Sequence, residues 1–287
     1  MASLRDIRRR IRSIKNTSQI TRAMQMVAAS RMRRAQQRVF ASRPYSEAVR
    51  TMLGELSQQR ADPSTMHPLL RARPERRAAY VVFTSDRGLA GALNGNVLRR
   101  ATEEILAQET EPEVITVGRK GQDFFTRRGR RLAATFTGVA ERADYQDIIP
   151  LARVVIDAYV SESVDVVHLV YPTFVSTLSQ RPTVTRLLPA APFEEYGTTL
   201  EFIIEPSPEE ITDALLPRYV EVELYQALLE AVASEHSARM VAMRNATENA
   251  QDLVQALTLT YNKARQAAIT KEISEISGAA EALAATR

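Results

Sequence analysis

Few residues of this chain have the types and spacing that catalysis or ligand binding requires. A glycine-rich stretch, residues 88–95, follows an apolar run and precedes a helical pattern, a position where α/β folds bind nucleotides. Its spacing matches neither G-x-G-x-x-G nor G-x-x-x-x-G-K-[ST], and no lysine follows it to contact phosphates. The next apolar run ends in Val117, Gly118 and Arg119, without an acidic residue to hold a ribose. A tight turn into a helix explains the glycines equally well, so an α/β nucleotide-binding enzyme stays one alternative.

The histidines, carboxylates and serines also lack a catalytic pattern. His67, His168 and His236 are scattered over a proline-rich connection, an apolar run and a long helical stretch, with no His-x-x-x-His spacing. The chain has no cysteine, which excludes disulfides, thiol catalysis and Cys-based zinc sites. No carboxylate pair or serine elbow can be recognised. We therefore predict no catalytic, cofactor-binding or metal-binding residue.

Apolar runs separated by helical stretches fill the middle of the chain. The predicted strands cover residues 78–84, 113–117, 132–136, 164–171 and 183–188. Helices are expected up to about residue 108, through residues 124–125 and at 148–160. This alternation predicts βαβ units, hence a Rossmann-like α/β domain with a mostly parallel sheet. Prolines before and after it predict a linker at 60–76 and an α/β domain at 77–206.

The C-terminal part predicts a very long helix. Between Pro217 and Gly278 there is neither glycine nor proline, and helix-favouring residues fill the run, so one helix of about 90 Å is expected. Pro217 should kink this helix or divide it from a short helical start that Ser207 and Glu210 cap. Large apolar residues recur at spacings of three and four, which predicts a seam for a partner helix. The seam comprises Tyr225, Leu229, Val232, Met240, Met243, Val254, Leu257 and Tyr261.

The N-terminal part predicts a second long helix. Ser3 and Asp6 form a capping pattern, and no glycine or proline occurs before Pro44, so at least about 40 helical residues are expected. Its seam comprises Leu4, Ile7, Ile11, Ile14, Ser18, Thr21, Ala28, Met32, Ala35 and Val39. Since the ends of a compact domain usually lie close together, helices 1–59 and 207–287 should form an antiparallel coiled coil. We expect a globular head, a two-helix shaft and a projecting alanine-rich tip at 279–285.

Positive charge is concentrated at the N-terminus. Residues 1–43 contain twelve Lys and Arg residues against Asp6 alone, while the whole chain has a formal charge of only +4. Such an excess on one helix predicts an anionic partner, which is nucleic acid, a membrane surface or an acidic protein surface. RNA-binding modules usually add aromatic residues for base stacking, and this segment has only Phe40 before Tyr45. A basic coiled-coil adaptor for nucleic acid remains the second alternative.

Three groups of residues resemble the gamma subunit of the F-type ATP synthase. The similarity extends over essentially the whole chain, in the same order. The matching strings are Lys15-Asn16-Thr17, Ile20-Thr21-Arg22-Ala23-Met24, Met26-Val27-Ala28-Ala29-Ser30, Ser85-Asp86-Arg87-Gly88-Leu89-Ala90-Gly91-Ala92-Leu93-Asn94, Ala233-Ser234-Glu235-His236, Ala238-Arg239-Met240-Val241-Ala242-Met243 and Tyr261-Asn262-Lys263-Ala264-Arg265-Gln266-Ala267-Ala268-Ile269-Thr270-Lys271-Glu272.

The resemblance implies a non-catalytic rotor subunit. In the family, the terminal helices form a coiled coil inside a ring of three alpha and three beta subunits, and the head lies near the epsilon subunit and the c-ring. Proton flow turns the ring and the shaft, while the beta subunits carry out catalysis. The resemblance also implies partner-binding roles for six residues that matter for coupling: Met24, Arg239, Arg265, Gln266, Thr270 and Glu272.

The departures from the family pattern are small. Ala90 stands where many relatives carry Cys, and Ser18-Gln19 replaces a commoner Gln-Lys pair. The cysteine-bearing insertion of chloroplast members is missing, and the chain starts directly at its first helix. These features favour a bacterial protein that is peripheral to the cytoplasmic side of the inner membrane. The resemblance implies attachment to the membrane only through the complex, no cofactor and no nucleic acid.

Overall fold

The chain is described by a computed structural model for residues 3–58, 67–190, 205 and 207–285. Its elements in chain order are α1 (Leu4–Gln58), a 3₁₀ turn (Pro68–Leu70), β1 (Ala78–Phe83), α2 (Leu93–Leu106), β2 (Glu113–Val117), α3 (Arg119–Arg127), β3 (Ala134–Phe136), α4 (Val139–Arg142), a 3₁₀ turn (Tyr145–Asp147), α5 (Ile149–Val160), β4 (Val166–Phe174), β5 (Gln180–Leu188) and α6 (Pro208–Ala285). The chain divides into two compact units, one of Met1–Val27 with Met240–Arg287 and one of Ala28–Arg239.

The second unit contains a five-stranded sheet in the order β3-β2-β1-β4-β5. β1 pairs in parallel with β2 and β4, and β3 pairs in parallel with β2. β5 alone runs antiparallel, because it returns from β4 through a tight hairpin. The predicted α/β class with a mostly parallel sheet is confirmed.

The central strand β1 separates two apolar cores. Ala79, Val81 and Phe83 belong to a core with residues of α5 and with the parts of α1 and α6 in this unit. Ala78, Tyr80 and Val82 belong to a second core with α2 and with Phe125 of α3. Neighbouring residues alternate between the two cores because successive side chains of a strand point to opposite faces. Both faces of the sheet are therefore covered, which explains the unbroken apolar run in β1.

In the first unit, the N-terminal part of α1 and the C-terminal part of α6 form an antiparallel pair. The Oγ1 atoms of Thr21 and Thr247 are 2.7 Å apart, and the guanidinium of Arg8 lies 5.4 Å from the ring centre of Tyr261. Partner numbers rise on one helix as they fall on the other. The small polar residue Thr21, unexpected in an apolar seam, is explained by this bond to Thr247.

The second unit contains its own antiparallel segments of the same two helices. Ser42 donates a hydrogen bond of 2.8 Å to the Oε1 atom of Gln226. Arg50 donates two hydrogen bonds, of 2.8 and 2.7 Å, to the carboxylate of Glu223. The predicted antiparallel pairing of the terminal helices therefore holds within each unit. The seam residues of α1 are buried at Ala28, Met32, Ala35 and Val39, and Leu229, Val232 and Met243 are buried on α6.

One predicted helix boundary needs correction. α1 runs through Pro44 to Gln58, within the predicted helical segment 1–59, whereas α6 runs through both Pro217 and Gly278. The expected division at Pro217 is wrong, because the apolar face of α6 starts before this proline, with Leu216 fully buried. Tertiary packing outweighs the local cost of proline there. Both predicted caps are present: the amide of Asp6 donates to Ser3 Oγ and that of Glu210 to Ser207 Oγ, each at 3.2 Å.

The described part of residues 60–76 also differs from the linker predicted there. Its first part, up to residue 66, lies outside the described residues. The second part forms the 3₁₀ turn at Pro68–Leu70, and Leu69 is fully buried in the core of the second unit. The amide of Ala190 donates to the carbonyl of Leu69 at 2.9 Å. This segment is therefore part of the folded domain. The head, shaft and tip arrangement stays a prediction, and the side chains of 279–285 lie outside the described part.

Candidate functional site

The residues between β1 and the glycine-rich stretch, Thr84 to Asp86, are tied to the start of α3 by hydrogen bonds. At this helix start, Arg119 N donates to Asp86 Oδ1 at 3.0 Å and Gly121 N donates to Thr84 Oγ1 at 2.8 Å. Lys120 N donates to the carbonyl of Ser85 at 3.1 Å. A phosphate at a helix N-terminus would need these same N–H groups. At the start of α3 these groups are engaged by the chain itself, which weighs against a phosphate site at this helix.

Asp86 has a structural role in this loop. Besides Arg119, it accepts a hydrogen bond from the amide of Gly138 at 3.0 Å through its Oδ2 atom. It therefore joins the loop after β1 to the turn before α4. Ser85 N donates to Asn94 Oδ1 at 3.0 Å, which closes the loop onto the start of α2. The glycine-rich stretch is thus a folded connection held by its own polar side chains.

One stretch of α6, residues 230–239, holds three segments of the α/β region through their backbone atoms. Glu230 accepts a hydrogen bond of 2.9 Å from the amide of Phe174. Ser234 donates to the carbonyl of Pro172 at 2.9 Å, and Ser237 donates to that of Thr177 at 2.7 Å. We call residues 230–239 the clasp. The partners in these three bonds are backbone groups. The clasp therefore fixes the path of the backbone at residues 172–177, independently of the side chains there.

Arg239, one of the predicted partner-binding residues, completes the clasp. Its Nη2 atom donates to the carbonyl of Gly88 at 3.1 Å, and its Nη1 atom lies 2.7 Å from a carboxylate oxygen of Glu235. The side chains of Arg239 and Glu235 are 11% and 12% exposed. A guanidinium this enclosed holds the glycine-rich loop against α6. A contact with another protein would involve the remaining exposed fraction.

Burial shifts the titration of two clasp residues. Loss of hydration raises the pKa of Glu235, and the adjacent Arg239 partly counteracts this. Loss of hydration and, to a smaller extent, the charges of Arg239, Arg31 and Arg34 together lower the pKa of His236 to about 4. His236 is therefore neutral near pH 7. This agrees with its predicted position on the packed side of the helix.

The other five predicted partner-binding residues lie in the first unit. Met24 is half-buried, whereas Arg265, Gln266, Thr270 and Glu272 are exposed on α6. Thr21 contacts Thr247, so Met24 lies across from the region near residue 244 of the antiparallel partner. Arg265 is then roughly 30 Å further along the helix, at 1.5 Å per residue. The structure groups the four C-terminal residues and does not bring Met24 to them.

The basic side chains of α1 are directed to solvent. Those of the first forty residues are all exposed: Arg5, Arg8, Arg9, Arg10, Arg12, Lys15, Arg22, Arg31, Arg33, Arg34 and Arg38. Ion pairs are few, with Arg9 at 3.5 Å from Asp6 and Arg38 at 3.8 Å from Asp144. Such exposed pairs contribute little stability. The charge is therefore available to an anionic surface.

Sequence reasoning missed Ser234, Ser237 and Asp86 as structural polar residues. A usable signal existed for the first two, since Glu230, Ser234 and Ser237 recur at helical spacing on an otherwise apolar face. Polar residues at such positions need buried partners. Asp86 gave no comparable signal, because its two partners are far away in the sequence.

Two kinds of site are not found in the described ranges. Among those residues, no group of three or more acidic or histidine side chains is placed to hold a metal ion. No helix in the same ranges is both long and apolar enough to cross a bilayer.

Comparison with known proteins identifies similar chains. The family model described as ATP synthase matches residues 3–283. The ATP synthase gamma chain of Pelotomaculum thermopropionicum is 51% identical over 285 residues, covering 99% of this chain and all of the relative. That of Roseiflexus castenholzii is 52% identical over 289 residues, covering 99% of both chains.

Solved structures show the same fold. A chain of the central stalk and c-ring of the Tetrahymena thermophila mitochondrial ATP synthase is 26% identical, with a TM-score of 0.62, and the match covers 79% of this chain and 99% of that one. A chain from the OSCP, F1 and c-ring structure of the Euglena gracilis mitochondrial ATP synthase has a TM-score of 0.69. It is 22% identical, and the match covers 98% of this chain and 94% of that one.

Proposed function

Because the chain belongs to the family of ATP synthase gamma chains, we propose that it is the central-stalk rotor subunit of an F-type ATP synthase. It transmits torque between a membrane-embedded c-ring and a catalytic ring of alpha and beta subunits. The observation that carries this proposal is full-length similarity to gamma chains at about half identity. The antiparallel pairing of the two terminal helices, present in each unit, supports it independently.

The mechanism needs a stiff element whose faces differ. A rotating shaft changes the nucleotide affinity of a neighbouring subunit only if it contacts that subunit's conformations differently. Two paired helices of unlike sequence present unlike faces around their axis. α1 offers exposed arginines, whereas the part of α6 paired with it offers apolar residues such as Leu253 and Leu259, each half exposed or more. Turning the pair therefore exchanges basic and apolar surface at a neighbour beside this paired part.

We assign the partners from this surface. The exposed arginines of α1 face acidic surfaces of the beta subunits, and the apolar end of α6 turns inside the ring of alpha and beta subunits. Met24, Arg265, Gln266, Thr270 and Glu272 contact the ring, and Arg239 supports those contacts by fixing the clasp. The α/β region faces the epsilon subunit and the c-ring. A protein collar explains the basic helix better than nucleic acid does, because gamma-chain relatives match the helix along its full length.

The chain itself does not catalyse ATP hydrolysis. Its glycine-rich stretch has neither of the phosphate-binding spacings, which supports the assignment of catalysis to the beta subunits. We place the protein at the cytoplasmic side of a bacterial inner membrane, held there by the complex. The purified chain should release no phosphate from ATP. ATP hydrolysis should appear only when alpha and beta subunits are added.

A direct test is to observe rotation with a label on this chain. The sequence has no cysteine, so one introduced cysteine gives a unique attachment point. Leu106 is suitable, because it is 69% exposed at the end of α2. The Leu106→Cys chain, assembled with alpha and beta subunits fixed to a surface, should carry a bead through full turns in one direction when ATP is added.

The control separates rotation from simple attachment. The same assembly without ATP, or with a bead on a fixed alpha subunit, should show no net turning. A bead that stays still on Leu106→Cys while the complex hydrolyses ATP would rule out a rotor. Full hydrolysis by alpha and beta subunits with no dependence on this chain would weaken the proposed coupling.

A further inference from the structure

A cavity of about 220 Å³ opens in the second unit beside α1, α4 and α6. Three arginines of α1 line it, Arg31, Arg34 and Arg38, together with His236 of α6. Its apolar wall consists of Ala35, Ala140, Leu229 and Val232, and Glu141, Arg142 and Ala143 complete the lining. We call it the α1–α4 pocket. None of the family's expected contact residues lines it.

Most charged groups of the pocket are already engaged. Arg38 donates to the carbonyls of Arg142 and Ala143, at 2.6 and 3.3 Å, and so fixes the wall next to α4. Arg142 pairs with Asp147 at 3.0 Å. Glu141, the one carboxylate of the lining, pairs at 2.6 Å with Arg87. These pairs leave the pocket's shape fixed and its acidic group neutralised.

Arg31 and Arg34 differ from the other lining arginines. Within the described ranges, neither makes a hydrogen bond or an ion pair. They are three residues apart on one helix, so their side chains leave the same face. Two like charges on one helix face beside an apolar wall repel each other. Of the two, Arg31 also acts on Glu235, whose pKa its charge helps to lower. Their field also reaches His236, whose pKa they help to lower.

We propose that the α1–α4 pocket binds a phosphate-type oxyanion between the guanidinium groups of Arg31 and Arg34. A planar guanidinium pairs well with phosphate or sulfate oxygens, since it offers two parallel N–H groups. A volume of about 220 Å³ accommodates inorganic phosphate but encloses no whole nucleotide. The same chemistry is offered by free phosphate and by the phosphate tail of a nucleotide. The inference does not depend on the rotor function.

The test uses the full-length chain and follows its histidine ring signals by NMR. The chain has three histidines, so each gives a resolvable signal after selective labelling. Inorganic phosphate at constant ionic strength should move the signal of His236 and saturate. His168, stacked on Tyr80 at 5.2 Å in the sheet, should not respond and serves as the internal control. Chloride at the same ionic strength should leave both signals in place.

Single substitutions distinguish phosphate binding at this pocket from a general effect of the positive charge of α1. Arg31→Gln and Arg34→Gln should each weaken phosphate binding at least about tenfold, because each removes a charge-assisted hydrogen bond. Arg34→Lys should restore part of the affinity, since it keeps the charge without the fork. The matched control is Arg33→Gln, which removes the same charge from an exposed neighbour outside the pocket and should bind as before.

Three further outcomes would support or overturn the proposed phosphate site. ATP binding at least about tenfold tighter than phosphate, with the same dependence on Arg31 and Arg34, would support the site and identify a nucleotide tail as the source. Equal weakening by Arg33→Gln and Arg34→Gln would overturn the proposal, because it would show nothing beyond the general charge of α1. An identical response to chloride and phosphate would overturn it as well.

Discussion

Gly118 ends β2 in a backbone conformation that side-chain-bearing residues rarely adopt, with φ at +99°. A Cβ atom there would lie 2.0 Å from the carbonyl oxygen of Thr84. The amide of Gly118 donates to the carbonyl of Phe136, at the end of β3, at 2.7 Å. The sequence placed this glycine between a predicted strand and a predicted helix. The need for glycine comes from neighbouring strands, which no local pattern indicates.

Replacement of Gly118 by alanine should destabilise the chain strongly. Both the positive φ and the clash with backbone atoms of Thr84 oppose a side chain, so we expect a loss of roughly 3 kcal/mol or more in unfolding free energy. Gly129→Ala is the matched control: φ is +71° there and no atom lies within 4 Å of the added Cβ. That variant should lose about 1 kcal/mol. Urea unfolding measures both, and equal losses would contradict the close-approach argument.

His236 should make stability depend on acid pH. Its pKa is lowered from 6.5 to about 4 in the folded chain, mainly by burial. The unfolded chain therefore binds more protons between these values, and unfolding free energy falls as the pH falls from about 6.5 to about 4. Glu235 acts in the opposite direction, because its pKa is raised by burial.

The contribution of His236 is isolated by comparison with His236→Gln, which keeps Glu235. Unfolding in phosphate-free buffer at several pH values should give a shallower loss for the variant between pH 6.5 and 4. His168→Gln is the control, since its pKa is also lowered by burial but its neighbours are those of the sheet. If the unfolding free energies of the wild type and of His236→Gln changed equally with pH, His236 would not titrate in this way.

At the scale of elements, the long helices were the most predictable part. Spacings of three and four in the seam identified both helices, because an apolar face needs a partner wherever the helix goes. Their antiparallel pairing followed from the expected closeness of the two ends of the α/β domain. The strands followed from β-branched runs such as Val81-Val82 and Val166-Val167. The predicted division of α6 at Pro217 was wrong, since local propensity was weighed without the packing that overrides it. The clasp could not be predicted, because it joins α6 to the end of β4, the β4–β5 connection and the glycine-rich stretch, which are distant in sequence.

The clasp predicts a coupled pair of substitutions. Arg239→Gln removes the partner of the enclosed Glu235 carboxylate and the bond to the carbonyl of Gly88. Breaking a buried ion pair from one side costs roughly 3 kcal/mol. The double variant Glu235→Gln with Arg239→Gln removes the unpaired charge too, so it should recover about 1 kcal/mol or more.

The control is a pair with the same spacing on the same helix. Arg244 and Glu248 are 3.0 Å apart, with side chains 67% and 57% exposed. Arg244→Gln should change the unfolding free energy by less than about 1 kcal/mol, because water replaces the lost partner. Additive effects of the two clasp substitutions would show that Glu235 is not left unpaired and would argue against an enclosed pair.

For the whole molecule, the sequence predicted the kind of protein better than the surfaces through which it acts. The strings around Met24, Arg239 and Tyr261 resembled one family, and comparison confirmed that family over residues 3–283. The α1–α4 pocket gave no signal, since it is built from three elements far apart in sequence. Contacts with other subunits could not be predicted from the folding pattern either. Exposed residues of a long helix have the same composition whether they face solvent or a partner protein.

The C-terminal group of predicted partner-binding residues gives the last test. Gln266, Thr270 and Glu272 are exposed, so their replacement by alanine should change the stability of the isolated chain by no more than about 0.5 kcal/mol. In the assembled complex, the same triple variant should lower ATP-driven proton pumping relative to ATP hydrolysis, because contacts that distinguish conformations of the ring are lost. Thr258→Ala is the control, an exposed residue of the same helix whose hydroxyl bonds only to the carbonyl of Val254 in its own helix. Pumping and hydrolysis measured on reconstituted vesicles should keep their ratio in the control. A ratio that also stays constant in the triple variant would remove these three residues from the coupling surface and leave the rotor assignment untouched.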